Sequence, residues 1–324
     1  NMRLIYYGVS ADEEKFIKRW SFSNKIPVTI INEGISSENV HFAGPHDGVC
    51  LYPSPEMRQS ELLYRKLREQ GIHQLSIKST GVDGVNFEWA QKYGLTVTNV
   101  PSYSPTSVGH FAIMSILMVL RNIPTVLQTN PSRKTTIGRE LQDVTVGILG
   151  TGRIGSVVAE GIHALGGRVI ASSSKENPRL KGKVSYVSFG ELLEESDVLS
   201  IHIPLSENST HLFSEDTFEK MKPGSCLVNT ARGKIVDTEA LIQALATGKL
   251  AGAALDALED EEKYFSSGWE KNPYYARLMA FPNVLITPHI AYHTELAVQE
   301  IVETSLNNAR DIITAGSSRN TISL

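Results

Sequence analysis

An α/β protein with doubly wound parallel sheets is what this 324-residue sequence predicts, and three observations carry the prediction. Apolar runs alternate with helical patterns almost throughout, the mark of successive βαβ units. A glycine-rich turn, Gly150 to Gly155, follows one apolar run and opens a helical one. In the last third, Arg232, Glu261 and His289 each follow the downstream end of a separate strand-like run. In a parallel sheet those ends share one edge, which is where open α/β proteins bind ligands.

In chain order, short strands are expected at Leu4–Tyr7, Val49–Tyr52, Leu75–Ile77 and Thr96–Asn99, with one helix over Glu56–Gln70 behind Ser54-Pro55. Pro101 and Pro105 punctuate the chain before an apolar helix, Thr106–Arg121. The polar stretch 128–142, with Pro131 and Gly138, reads as a surface loop. A second αβ series starts at Val144–Leu149 and continues with strands Arg168–Ala171, Val198–Ile203, Cys226–Asn229, Gly252–Leu255 and Val284–Thr287. Ser188 with Glu191 matches a capping box, and Asp237 stands as N-cap before an amphipathic helix ending near Gly248. Thr294–Ala315 is the last helix.

The length suits two domains with real cores. Hydrophobic residues at 41% and charged residues at 20% place the chain among soluble globular proteins. A net charge of −4 and a pI near 6.2 offer no basic surface for nucleic acid and no reason for an anionic membrane partner. Cys50 and Cys226 lie far apart and make no metal spacing, so a reducing cytoplasm and no metal are expected. The longest apolar stretch, Phe111 to Leu120, is too short to span a bilayer, and no signal-peptide pattern opens the chain. Asn1, ahead of Met2, is set aside as a non-native leading residue.

Val144 to Leu149 runs directly into Gly150-Thr151-Gly152-Arg153-Ile154-Gly155. Glycines there permit a tight turn and let the backbone approach a pyrophosphate, while the following helix offers its unpaired N–H groups and positive dipole end. A strand before, a helix after and a second strand on schedule make this a dinucleotide fingerprint of Rossmann type. At the end of that second strand, where an acid normally holds the adenosine ribose hydroxyls of NAD, the chain reads Ala171-Ser172-Ser173-Ser174-Lys175. Without the carboxylate, Ser173, Ser174 and Lys175 can hold a 2′-phosphate, which predicts a preference for NADPH, with NAD the alternative.

Arg232, in Asn229-Thr230-Ala231-Arg232-Gly233, offers a planar fork for a carboxylate and an adjacent carbonyl. Asp256 stands at a strand terminus, placed to contact the nicotinamide end of the cofactor, and Glu261 lies five residues on. His289 follows the last strand in Thr287-Pro288-His289, whereas His202, within an apolar run, reads as an interior residue. A carboxylate beside an imidazole favours imidazolium, which can give a proton to a carbonyl oxygen as hydride reaches its carbon.

These motifs closely resemble the D-isomer-specific 2-hydroxyacid dehydrogenases over nearly the whole length. The resemblance implies that Arg232, Glu261 and His289 take the family's catalytic roles, and that Gly150, Gly152, Arg153, Ile154, Gly155, Ile203, Pro204, Thr230, Ala231 and Asp256 contact the cofactor. Thr80 and Gly81, in Ser79-Thr80-Gly81-Val82-Asp83, match the loop whose amides hold the substrate carboxylate, and Tyr103 and Tyr292 match further substrate contacts. The loop from Glu261 to Pro282, with its aromatic residues, and Tyr292 are most similar to the D-lactate and D-hydroxyisocaproate branch. The serine-rich strand end resembles the NADPH-using D-lactate dehydrogenases of vancomycin-resistance clusters.

The family further implies two Rossmann-like domains with an active-site cleft between them: 2–101 plus 297–324 for substrate, 102–296 for the dinucleotide, and a homodimer built through the latter. His110, Lys78 and Ser10 depart from the family pattern and bear on the substrate, not the reaction. Reduction of a small 2-oxo acid, pyruvate first, is the expected activity. 2-Oxoisocaproate and glyoxylate or hydroxypyruvate are alternatives, and a cofactor-sensing corepressor is the non-enzyme reading.

Overall fold

The structure is a computed structural model that describes residues 1–129, 136–265 and 267–323. The chain divides into two compact units, Asn1–Ser104 with His293–Leu324, and Pro105–Tyr292. The divisions fall at 104/105 and 292/293, where the sequence suggests 101/102 and 296/297.

The first unit contains β1 (Leu4–Tyr7), α1 (Ala11–Asn24), β2 (Val28–Ile31), β3 (Gly48–Leu51), α2 (Pro55–Gln59), α3 (Glu61–Glu69), β4 (Gln74–Ile77), α4 (Phe87–Lys92) and β5 (Thr96–Thr98). Its parallel sheet has the order β2-β1-β3-β4-β5. Both faces are covered, so the strands read as continuous apolar runs and alternate residues serve opposite cores. Leu4, Tyr6 and Cys50 pack with Phe16, Ile17 and Trp20 of α1. Ile5, Tyr7, Val49 and Leu51 pack with Met57, Leu63 and Leu67 on the other side. Two readings change. The single helix expected over 56–70 is broken at Ser60, whose backbone is extended (φ −119°, ψ 104°). Val28–Ile31, a half-buried edge strand, is an element the sequence reading lacks.

The second unit contains α5 (Pro105–Leu120), α6 (Ile123–Gln128), β6 (Thr145–Leu149), α7 (Arg153–Ala164), β7 (Arg168–Ser172), β8 (Ser185–Tyr186) and α8 (Phe189–Glu195). It continues with β9 (Val198–Ile201), α9 (Glu215–Lys220), β10 (Ser225–Asn229), α10 (Thr238–Ala246), β11 (Leu250–Leu255), α11 (Pro273–Met279) and β12 (Val284–Ile286). The seven parallel strands run β12-β11-β10-β9-β6-β7-β8, so the winding reverses between β9 and β6. Ser188 accepts a hydrogen bond from Glu191 N and Asp237 one from Ala240 N, as their N-cap positions require. The stretch expected as a surface loop is helical to Gln128, and its residues 130–135 lie outside the described residues. The segment 261–282 holds two short 3₁₀ turns and α11, opened by Asn272 as N-cap and Pro273, with Leu278 wholly buried. α12 (Glu295–Ala315) then returns to the first unit, where Val298, Val302, Leu306 and Ala309 complete the Tyr6 face.

Candidate active site

Three adjacent strands of the second unit end level with one another: Asn229 of β10 pairs with Leu255 of β11, which pairs with Ile286 of β12. Arg232, Asp256 and His289 follow these ends within three residues, and Glu261 lies in the connection leaving β11. The sequence places all four at one sheet edge, and the second unit brings them there.

His289 Nδ1 and Glu261 Oε1 are 2.6 Å apart. The Glu261 side chain is 8% exposed and the His289 side chain 28%, so the pair is largely withdrawn from water. The other carboxylate oxygen, Oε2, accepts from Leu258 N at 3.2 Å. With Nδ1 engaged, Nε2 is the imidazole nitrogen without a hydrogen-bond partner among the described residues. Burial disfavours the imidazolium, but the Glu261 hydrogen bond and charge, aided by Asp256, outweigh it and raise the His289 pKa; the Arg232 charge opposes them. Phe265 and Tyr292 stand edge-on to the ring, at centroid distances of 6.1 and 6.3 Å.

The imidazole is aimed by an uncommon backbone. His289 has φ 54°, a left-handed conformation that costs a non-glycine residue roughly 1–2 kcal/mol. Asp256 holds it there. Its carbonyl accepts from His289 N at 3.0 Å. Its Oδ1 accepts from Thr287 Oγ1 (2.7 Å) and Ile290 N (2.9 Å), and its Oδ2 from Ala291 N (2.9 Å). Hydrogen bonds to a charged acceptor contribute about 1.5–3 kcal/mol each, enough together to offset the strain. Burial pushes the Asp256 carboxyl up, while these donors and the His289 charge pull it back in part. Asp256, read from sequence as a cofactor contact, is therefore also the clamp of the histidine turn.

Arg232 is half-buried, and its guanidinium has no hydrogen-bond or ion-pair partner among the described residues. Its loop is fixed from below by Asn229, whose Oδ1 accepts from Ala231 N (2.9 Å) and whose Nδ2 donates to Arg232 O (3.0 Å). A Cβ on Gly233 would come within 2.2 Å of the Leu258 carbonyl carbon, so only glycine lets this loop lie against the one bearing Glu261. Asn229, Gly233 and Thr287 are supporting residues without an assigned role in the sequence reading. They stand inside the motifs quoted for their charged members, which was the available signal.

The glycine turn flanks the reversal point of the sheet, the general ligand position of such folds. Gly150 has φ 91°, and a Cβ there would sit 2.4 Å from His202 O; a Cβ on Gly155 would sit 1.9 Å from Gly150 O. These two glycines thus serve the turn and the close helix packing. A Cβ on Gly152, by contrast, would meet nothing within 4 Å. The first bond of α7 is Ser156 N to Gly152 O, which leaves the N–H groups of Arg153, Ile154 and Gly155 without a partner among the described residues. Thr230 Oγ1 is buried and also lacks a hydrogen-bond partner. Free amides at a helix start, open space above them and an orphaned hydroxyl suit a pyrophosphate-bearing dinucleotide.

Around this turn, Ile203 and Pro204 leave β9, with Ile203 Cγ2 2.9 Å from the Cβ position of Gly150. Ser173 Oγ accepts from Thr151 N at 3.2 Å, while Ser174 and Lys175 are exposed. His202 lies just past β9, with its Nε2 2.7 Å from Ser200 Oγ, and burial lowers its pKa to about 4. It is neutral and structural.

In the first unit, Thr80 Oγ1 donates to Val100 O (2.8 Å), Asn99 Nδ2 donates to Thr80 O (2.9 Å) and Ser79 Oγ to Gly81 O (2.7 Å). The amides of Thr80 and Gly81 make no hydrogen bond among the described residues, leaving two donors for an anion. Tyr103 is half-buried in the segment after β5. No group of three or more His, Cys, Asp or Glu among the described residues is arranged to hold a metal, and no helix there is long and apolar enough to cross a membrane.

Comparison with known proteins agrees with this geometry. The family model for the D-isomer specific 2-hydroxyacid dehydrogenase NAD binding domain matches residues 113–291. A D-lactate/D-glycerate dehydrogenase of Pediococcus acidilactici is 35% identical over 330 residues, covering 99% of each chain. A D-specific alpha-keto acid dehydrogenase of Enterococcus faecium is 36% identical over 319 residues, covering 96% of this chain and 97% of the relative. The crystal structure of a D-lactate dehydrogenase from Treponema pallidum matches with TM-score 0.92 at 33% identity over 100% of both chains. The chain belongs to the D-isomer specific 2-hydroxyacid dehydrogenase family.

Proposed function

We propose that this protein reduces pyruvate and similar small 2-oxo acids, with NADPH preferred and His289 as proton donor. At family level it is an NAD-dependent D-2-hydroxyacid dehydrogenase; the substrate, the cofactor preference and the residue roles are the proposal. The observation that carries it is the 2.6 Å His289–Glu261 pair with Nε2 left to donate, beside an unpaired guanidinium at the same sheet edge.

The nicotinamide of a bound dinucleotide supplies the hydride. Gly152, Arg153, Ile154 and Gly155 take the pyrophosphate on backbone amides, with Gly150 shaping the turn, and Ile203, Pro204, Thr230, Ala231 and Asp256 line the rest. Arg232 grips the substrate carboxylate and polarises the carbonyl beside it. His289 delivers its Nε2 proton to the carbonyl oxygen, and Glu261 holds the opposite ring proton so that the imidazolium persists until transfer. Thr80, Gly81, Tyr103 and Tyr292 are the further substrate contacts. Pyruvate is favoured by the D-lactate relatives, among them the Pediococcus enzyme named for D-lactate and D-glycerate.

Reduction needs protonated His289, so its rate should be flat at low pH and fall above the raised histidine pKa. In Glu261→Gln the Glu261 charge, the main influence raising that pKa, is lost, while the weaker effect of Asp256 and the lowering effect of burial remain. The descending limb of the kcat profile should therefore move to lower pH; an unmoved limb would contradict the pairing.

NADPH preference is supported by the missing acid after β7, by the Ser173 hydroxyl, and by Lys175, which has no ion-pair partner among the described residues. Steady-state rates with NADH and NADPH, crossed with pyruvate, 2-oxoisocaproate, phenylpyruvate and hydroxypyruvate, test cofactor and substrate together. NADPH should have the higher kcat/KM, and Ser173→Asp should invert the preference by placing a charge against the 2′-phosphate. A wild type that prefers NADH overturns the cofactor proposal, and no turnover with any acid overturns the activity.

A homodimer through the second unit is proposed on the exposed apolar side chains Met114, Leu127 and Ile137. A cytoplasmic location is proposed because both cysteines are free and buried.

A further inference from the structure

Lys78 is an unusual lysine: its side chain is 12% exposed, and it lies at the end of β4, immediately before Ser79-Thr80-Gly81. Its Nζ donates to Glu13 Oε1 (2.8 Å) and Oε2 (3.1 Å) and to Gly8 O (2.8 Å). Glu13, itself 9% exposed at the side chain, also accepts from Ser10 N (3.0 Å) and Ser10 Oγ (2.8 Å), closing the first turn of α1. In the sheet, β1 and β4 are separated by β3, so this ammonium reaches across one strand to join the β1–α1 turn to the start of the 79–81 loop. Both its charge and its donors are spent on Glu13 and Gly8, which excludes Lys78 as a direct anion ligand despite its place beside the free amides of Thr80 and Gly81.

We propose that Lys78 is a positioning residue for substrate binding: through Glu13 and Gly8 it fixes the strand end from which the 79–81 loop presents its amides to the substrate carboxylate. This rests on the proposed activity and on the role given there to Thr80 and Gly81. Binding of the carboxylate is shared by the ground state and the transition state, so loosening the loop weakens KM and leaves kcat nearly intact. A buried pair broken on one side strands the other charge and can unfold the unit, so the paired variant Lys78→Met/Glu13→Gln is the informative one.

The experiment measures kcat and KM for pyruvate and the NADPH and NADH dissociation constants in the wild type, K78R, K78M and K78M/E13Q. The expected result is a rise in KM of roughly tenfold or more in K78M and the double variant, with kcat within about threefold and cofactor binding unchanged. K78R, which keeps the charge and the donors, should restore KM. Unchanged KM in the double variant overturns the inference while leaving the activity standing, as does a parallel loss of kcat, KM and cofactor binding. An inactive wild type fails the proposed function itself, and this inference with it.

Discussion

Replacing His289 by alanine is expected to lower kcat for 2-oxo acid reduction by roughly two to four orders of magnitude, the usual contribution of a positioned general acid. The size follows from the geometry, because Glu261 raises the His289 pKa and so favours the charged ring, while the clamp by Asp256 keeps it aimed for the proposed proton delivery. KM for pyruvate and the dissociation constant of the dinucleotide should change little, since neither rests on this ring. Stopped-flow single turnovers separate the chemical step from product release, and a variant retaining a tenth of the wild-type chemical rate would contradict the assignment. Stability should fall, because Glu261, 8% exposed at the side chain, loses the partner of its Oε1, although the 287–291 turn keeps its backbone donors and Thr287.

Arginine 232 should behave differently. In the role proposed for it, Arg232 supplies a carboxylate fork and a positive charge for the developing oxyanion, so its removal should worsen both kcat and KM. A fall in kcat/KM of roughly a thousandfold, about 4 kcal/mol, is expected for Arg232→Ala. Arg232→Lys should recover only part, because an ammonium keeps the charge and loses the planar pair of donors. The same change should also shift the pH profile. The Arg232 charge opposes protonation of His289, so without it the descending limb should move to higher pH. A variant in which KM alone changed would reassign Arg232 from the reacting carbonyl to substrate binding only.

The strands of both units were legible because a parallel strand covered on both faces must be apolar at nearly every position, and short runs such as Leu4–Tyr7 have no competing reading. β2 was not, since Val28–Ile31 is a four-residue, half-buried edge strand and does not stand out as a buried parallel strand does. Nor was β8, which has two residues. The break at Ser60 escaped because helical periodicity continues across it, and only the local backbone reveals the interruption. In the site, the charged residues announced themselves by following strands. Asn229, Gly233 and Thr287 did not. Their importance comes from contacts between segments distant in sequence, as when Gly233 lies against Leu258, and no local pattern encodes such an approach.

Because α12 closes the Tyr6 face of the first sheet, that unit cannot be completed on the ribosome until residues 298–309 have emerged. Strands β1 to β5 are made early, yet the face that α1 covers in part stays open on the α12 side while the whole of the second unit, itself contiguous from Pro105 to Tyr292, is synthesised and can fold. The second unit can therefore be complete before the first, whose earliest strands keep part of an apolar face uncovered until α12 has emerged. During that interval nascent chains are most exposed to association, and holdase chaperones have the most to shield.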